Sequence, residues 1–444
     1  MFVKKEKKLM NALNSFFKLD KLGTNPKREI LAGFTTFISM CYILFVNPTV
    51  LSAAGMDKGA VFTATALSSA IGCVLMGVIA KYPIATAPSL GINAFFAYSV
   101  CIGMKIPWQT ALAGAFVAAL IFILITVFKL RELIIDSIPQ DLKYAISAGI
   151  GMFIAFIGLQ GGGIIVKNES TLVSLGSFHG QVWVTVFGLI AIAILMVLKV
   201  PGAIFIGMVL STIFGIATDL IKMPTAFVSA APSLKPTFLV AAKHITDINS
   251  FQLVVVVLTF LLVAFFDTAG TLVGLCTQAG FVKDNKIPRI GQALMSDSSA
   301  MLVGTLLGTS PVGAYVESSA GIAVGGRSGL TAVTTGILFI FGLFFSPLLA
   351  IVTTQVTAPA LIIVGVLMAQ NMARVDWSKL EIAIPSFIII ATMPLTYSIA
   401  DGLALGVILY PITMLAAKRG KEVPALMYVL FFVFIGFFWV IGRG

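Results

Sequence analysis

Thr86-Ala87-Pro88-Ser89-Leu90-Gly91-Ile92-Asn93-Ala94-Phe95-Phe96 and Thr309-Ser310-Pro311-Val312-Gly313-Ala314-Tyr315-Val316-Glu317-Ser318-Ser319 are the two stretches that decide the architecture. Each interrupts an otherwise apolar run. Each carries Thr-x-Pro followed by Gly, with a polar side chain five (Asn93) or six (Glu317) positions beyond the proline. Proline removes a backbone donor and stops a helix, and glycine permits the dihedrals of the break. Non-helical backbone survives at membrane depth only where protein or a wet cavity satisfies it. Matching broken segments in the two halves of a chain therefore point to a transport site; the bland alternative is a pair of kinked structural helices.

The flanking sequence supplies the membrane. A spanning helix needs about 20 mostly apolar residues. Such runs lie near 30–52, 60–80, 83–101, 108–129, 140–160, 181–199 and 202–220. A polar stretch, 221–250, contains Pro224, Pro232 and Pro236. Further runs follow near 251–275, 288–308, 309–326, 328–353, 357–373, 382–398 and 400–417. A last run, 424–441, reads as a fifteenth span or an interfacial helix. The two broken stretches are the third segment of each set of seven. Seven is odd, so the second set enters the membrane inverted, which is a transporter signature.

Composition agrees. The 444 residues are 59% hydrophobic and 11% charged, whereas soluble domains carry about 25% charged residues; mean hydropathy is +1.05. The net charge of +11 would suggest nucleic acid in a soluble protein. Here the cations sit between apolar runs, and no nucleic-acid partner is expected. With the N-terminus in the cytoplasm, only Lys58, Lys105, Lys167, Lys222, Lys235, Lys243 and Arg443 fall outside; the other Lys and Arg fall inside, as the positive-inside rule requires. A multi-pass protein of the cytoplasmic membrane is the expectation. Residues 1–29 carry eight Lys and Arg and no cleavable signal pattern. Leu13, Phe16, Phe17 and Leu19 form an amphipathic patch suited to the membrane face. Cys41, Cys73, Cys101 and Cys276 are widely spaced and read as small buried hydrophobes, with no metal or disulfide framework.

Three acidic residues, Asp267, Asp297 and Glu317, fall well inside these segments, and no Lys, Arg or His does. A carboxylate at that depth is costly and is by default a functional candidate. Asp267 lies in Phe265-Phe266-Asp267-Thr268-Ala269-Gly270-Thr271, with Thr271 one turn on along the same face. For Asp297, in Ser296-Asp297-Ser298-Ser299, a helix–helix hydrogen bond and a functional role are equally open. An anionic cargo would need a fixed cation. A cargo rich in N–H groups suits carboxylate acceptors, and Glu317 can accept in bidentate fashion. Asn93 both donates and accepts. Guanine and hypoxanthine fit this pattern. Phe95, Phe96 and Tyr315 are candidates to stack on a flat ring, or plain packing. A buried carboxylate without a cation is expected to bind a proton readily, which makes Asp267 a candidate proton carrier; sodium is the alternative ion. A membrane enzyme would need a nucleophile or metal cluster, and the histidines, His179 and His244, fall in predicted loops.

The segments Thr35-Thr36-Phe37 through Tyr42-Ile43-Leu44-Phe45-Val46-Asn47-Pro48, Gly91 through Phe96, Phe266 through Thr271, and Thr309-Ser310-Pro311 through Glu317-Ser318 resemble the purine-base permeases of the azaguanine-resistance type. These are a branch of the nucleobase–cation symporter-2 (nucleobase/ascorbate transporter) superfamily, and the likeness covers nearly the whole chain. It implies an all-α polytopic membrane protein of the uracil-permease fold, a 7+7 inverted repeat of about 14 segments with short strands in segments 3 and 10. It also implies a cytoplasmic segment (1–29), a core domain (30–130 and 251–355), a gate domain (131–220 and 356–444) and an extracellular linker (221–250). The family's substrate-contacting residues fall on Asn93, Asp267 and Glu317, and Tyr315 matches an aromatic contact. Where the uracil permease has glutamate and histidine one turn apart in segment 8, this chain has Asp267 and Thr271. The implied activity is proton-coupled import of guanine, hypoxanthine or adenine, with Asp267 and Glu317 in proton coupling. A xanthine, pyrimidine or anion transporter of the same fold is the alternative. The expected partners are a purine base, a proton, the lipid bilayer and, as a candidate, a second copy of the chain; no cofactor or metal is called for.

Overall fold

The computed structural model of the chain describes residues 12–128, 138–224, 226–248, 251–282 and 287–441. Segment 1 begins at Pro26, ahead of the expected residue 30. Asn25 caps the helix, its side chain accepting from the Arg28 amide, and proline fills the first helical position, where its missing N–H is harmless. The segment breaks at Cys41–Tyr42 and resumes as Ile43–Ser52. Pro48, inside the resumed helix, leaves the Leu44 carbonyl without its helical donor two to three residues past that break.

Segment 2 runs Lys58–Leu75 with a π turn to Ala80. Segment 3 opens with strand β1 (Thr86–Pro88), then a helix Leu90–Ala94 that widens into a π-helix, Phe95–Gly103. Segments 4 to 7 are Trp108–Val127, Gln140–Gly161, Val182–Val197 and Ala203–Ala217. A hairpin absent from the sequence reading, β2 (Ile165–Asn168) and β3 (Leu172–Leu175), joins segments 5 and 6. Segments 8 and 9 are Phe251–Gln278 and Ile290–Leu307. Segment 10 is strand β4 (Val312–Ala314) followed by the half-helix Ser318–Ala323. Segment 11 is Gly329–Gly342 with a 3-10 continuation to Ala350, and segments 12 to 14 are Thr354–Ala369, Leu380–Leu395 and Ile399–Ala416. The leftover run is a helix, Ala425–Ile441. Among the described residues seven helices are long and apolar enough to cross a membrane, by length and composition.

Contacts divide these helices into two groups. Segments 1, 2, 4, 9 and 11 pack on one another, while segments 5, 6, 7, 12, 13 and 14 form a second set. Glycine sets the closest approach in each. A Cβ on Gly329 would stand 1.8 Å from the Gly77 carbonyl oxygen, which brings segments 2 and 11 backbone to backbone. A Cβ on Gly365 would stand 2.5 Å from the Gly151 carbonyl oxygen, joining segments 5 and 12 in the same way. Without a hydrophobic drive between helices in lipid, such small-residue crossings give van der Waals packing its reach.

The candidate site at the crossing of segments 3 and 10

The two broken stretches meet. β1 and β4 pair antiparallel, with Thr86 opposite Ala314, Ala87 opposite Gly313 and Pro88 opposite Val312. Outside this short ribbon the Ser89 amide donates to the Pro311 carbonyl at 3.0 Å and the Tyr315 amide to the Ala85 carbonyl at 3.0 Å. The Tyr315 hydroxyl donates to the Pro88 carbonyl at 2.7 Å, and the Ala85 amide donates to Ser318 Oγ at 3.0 Å. The backbone freed by the breaks is thus satisfied by the other repeat, as membrane depth demands. The pairing does not superpose the two Thr-x-Pro motifs. Pro88 ends its strand, whereas Pro311 precedes β4. Proline cannot donate to a ladder and is tolerated at either strand end, so the motif marks the break without setting its register. In consequence Asn93 sits within its half-helix, while Glu317 is the N-cap residue of the other.

Asn93 is fully buried. Its Nδ2 donates to Asn47 Oδ1 at 2.9 Å. Asn47 Nδ2 donates to Thr65 Oγ1 and to Thr309 Oγ1, both at 2.7 Å, and Ser310 Oγ donates to Asn47 Oδ1 at 3.4 Å. The orientation of this chain is determined. The Thr65 hydroxyl spends its proton on the Val61 carbonyl at 2.7 Å, so its oxygen must accept from Asn47, whose Oδ1 must then face Asn93. Asn93 Oδ1 is left as a buried acceptor with no partner among the described residues, and Thr86 Oγ1 is likewise unpartnered. Buried polar groups are almost always paired, which makes this acceptor, orphaned among the described residues, the candidate contact point of the crossing.

Glu317 is half-buried, and Tyr42, at the break of segment 1, donates its hydroxyl to Glu317 Oε1 at 2.5 Å. Neither Tyr42 nor Asn47 was assigned a role on the sequence, although both sit in the stretch that ends at Pro48. The signal was the pair of polar side chains, Tyr42 and Asn47, in an otherwise apolar run from Cys41 to Pro48.

Of the remaining predicted residues, Asp267 falls on the segment 8 helix, but its side chain lies outside the described residues. Thr271 is half-buried on the same helix. Thr268 donates to Asp297 Oδ1 at 3.4 Å across segments 8 and 9, the helix–helix hydrogen bond that was one of two readings for Asp297. Phe95 and Phe96 are fully buried. Phe95 packs edge-on against Phe260 with centroids 5.0 Å apart, and Phe96 lies 6.3 Å from the same ring; both rings are occupied in packing. Tyr315 is buried beside the ribbon.

One buried carboxylate escaped the sequence reading because residue 29 was placed in the cytoplasmic segment. Glu29 is fully buried. Its Oε1 accepts from the Arg327 amide at 2.9 Å; its Oε2 accepts from the Ser328 amide at 3.0 Å, the Ser328 hydroxyl at 2.7 Å and the Thr331 hydroxyl at 2.6 Å. It fastens the start of segment 1 to the start of segment 11. The Asn25-Pro26 helix start could have revealed it, since that pair moves Glu29 inside the helix.

The site therefore offers acceptors: a carboxylate positioned by Tyr42 and an amide oxygen positioned by Asn47. No Lys, Arg or His occurs in 82–104, 251–281 or 308–326. Among the described residues no group of His, Cys, Asp and Glu is placed to hold a metal ion.

The permease family Xan_ur_permease matches residues 27–405. The chain is 54% identical over 436 residues to the guanine/hypoxanthine permease PbuG of Bacillus subtilis, covering 96% of this chain and 99% of that one. It is 41% identical to the adenine permease AdeP of Escherichia coli, covering 95% and 96% of the two chains. The transmembrane domain of a cyanobacterium bicarbonate transporter, BicA, superposes with a TM-score of 0.60 at 15% identity, over 88% of this chain and 97% of that one; that likeness bears on the fold alone. The inverted 7+7 helical architecture, the strand-crossed segments 3 and 10, and this match over most of its length make the chain a multi-pass membrane transporter of the permease family Xan_ur_permease.

Proposed function

We propose that the chain imports purine bases, guanine and hypoxanthine foremost, across the cytoplasmic membrane by proton symport. The observation that carries this reading is the orphan Asn93 acceptor standing with the Glu317 carboxylate at the repeat crossing, in segments without a cation. Two acceptors call for a cargo that donates. A purine base offers ring N–H groups, and guanine adds an exocyclic amine; an anion would meet only repulsion. The names of the relatives, which are permeases of guanine, hypoxanthine and adenine, support the same class.

Glu317 accepts the cargo's donor edge and Asn93 Oδ1 takes a further N–H. Asp267 and Glu317 carry the proton. Segments 1–4 and 8–11 act as a core that moves against a gate of segments 5–7 and 12–14, exposing the site to each side in turn. The N-terminus lies in the cytoplasm.

The test is uptake of radiolabelled hypoxanthine by cells expressing the chain, competed by guanine, adenine, xanthine, uracil and sulfate, with and without a protonophore. Purine competition and loss of uptake with the protonophore are expected. Correctly inserted protein that takes up no hypoxanthine would overturn the purine reading, and protonophore-resistant, sodium-dependent uptake would overturn proton coupling.

A further inference from the structure

Where the chain leaves its N-terminal stretch, a cavity of about 380 Å³ opens between the ends of segments 2 and 9 and residues Phe17–Leu22. Four cations line it: Lys18, Lys21, Lys81 and Arg289. Lys81 Nζ donates to the Phe16 carbonyl at 3.0 Å and stands 4.6 Å from the Phe16 ring centroid. The Arg289 guanidinium lies over the Tyr82 ring at 5.1 Å. These contacts hold Lys81 and Arg289 in place without neutralising them. None of the four forms an ion pair with a carboxylate among the described residues. Asp20, the acid nearest in sequence to Lys18 and Lys21, is engaged instead by Asn14 at 2.6 Å.

Four positive charges around one concavity repel one another unless an anion sits among them. Arg289 adds a second tension, because it is the N-cap residue of the segment 9 helix, the end at which the helix dipole favours negative charge. The cavity also has an apolar edge. Ile79 lines it and is 41% exposed, and Phe16 beside it is 48% exposed. A ligand that satisfies both parts has a phosphate for the cations and a hydrocarbon portion for the rim.

We infer that this cavity is a phosphate-binding site filled by the headgroup of an anionic phospholipid, which ties the N-terminal stretch to the ends of segments 2 and 9. The lining contains none of Asn93, Asp267 and Glu317 and comes from the N-terminal stretch and the ends of segments 2 and 9, so the site acts on anchoring of this end of the bundle rather than on cargo chemistry. Each Lys or Arg near an anionic lipid surface contributes roughly fivefold in affinity, and removing two removes roughly thirtyfold.

The experiment uses the full chain purified in detergent, with melting temperature followed during titration with phosphatidylglycerol, phosphatidylethanolamine or inorganic phosphate. The double variants Lys81→Gln/Arg289→Gln and Lys18→Gln/Lys21→Gln are titrated alongside; the second pair keeps the test open if the first fails to fold. The expected result is stabilisation of the wild type by phosphatidylglycerol and not by phosphatidylethanolamine, with apparent affinity falling roughly thirtyfold in each double variant. Stabilisation by inorganic phosphate, lost in the same variants and without preference for phosphatidylglycerol, would keep the phosphate site but overturn the lipid as its source. Equal response to both lipids with none to phosphate, or double variants that titrate like the wild type, would overturn the site.

Discussion

Tyr42→Phe isolates the contact that positions the central carboxylate. The ring of Tyr42 is fully buried, so phenylalanine fills the same volume and the substitution deletes only the hydroxyl that donates to Glu317 Oε1 at 2.5 Å. A hydrogen bond to a charged group contributes about 1.5–3 kcal/mol. Without it, Oε1 loses the Tyr42 donor, and the carboxylate is held less firmly in the orientation the cargo meets. If the whole contribution is withdrawn from the loaded state, the KM for uptake rises roughly tenfold to a hundredfold, at about 1.4 kcal/mol per tenfold. The assay is concentration-dependent hypoxanthine uptake at matched surface expression, with the melting temperature of the purified variant as a folding control. A KM equal to or below that of the wild type, in a variant that melts normally, would refute the positioning role.

Asn47→Leu keeps nearly the same volume and strips the hub that joins segments 1, 2, 3 and 10. Each buried group it orphans costs about 1–3 kcal/mol, so the variant should melt several degrees lower and lose uptake; wild-type melting would show that the hub is dispensable. Glu29→Gln places an amide among four donors and should destabilise by on the order of 3 kcal/mol, leaving the KM of surviving protein unchanged. A variant with a shifted KM and an unchanged melting temperature would contradict that purely fastening role. Phe95→Leu loses an aromatic pair with Phe260 and should cost about 1 kcal/mol of stability; a large rise in KM with normal melting would instead place Phe95 against the cargo.

Much of the architecture is a local property of this chain and could be read from it. A bilayer requires about 20 apolar residues per span and hydrogen-bonds no exposed backbone. Segment number, inversion and the two breaks therefore follow from hydropathy and from Pro88, Pro311 and their neighbouring glycines. Asn93 and Glu317 stood out for the same reason, as polar groups immediately beyond a break. The start of segment 1 was missed by a few residues because Glu29 looks like a surface acid until four donors from segment 11 and the loop before it surround it.

What residue order determined by itself was the set of segments, their inversion and the presence of polar groups at mid-depth. Tertiary structure alone decided which of those groups touch. Tyr42 and Glu317 are 275 residues apart, and Asn47 and Thr309 are 262 apart. The register of β1 on β4 is set by which carbonyls each strand must satisfy, not by the repeated Thr-x-Pro motif, whose prolines do not face each other. The physical reason is that a hydropathy pattern records whether a side chain meets lipid or protein. Its hydrogen-bond partner depends on which faces of two distant helices meet, and neither helix carries that information in its own sequence.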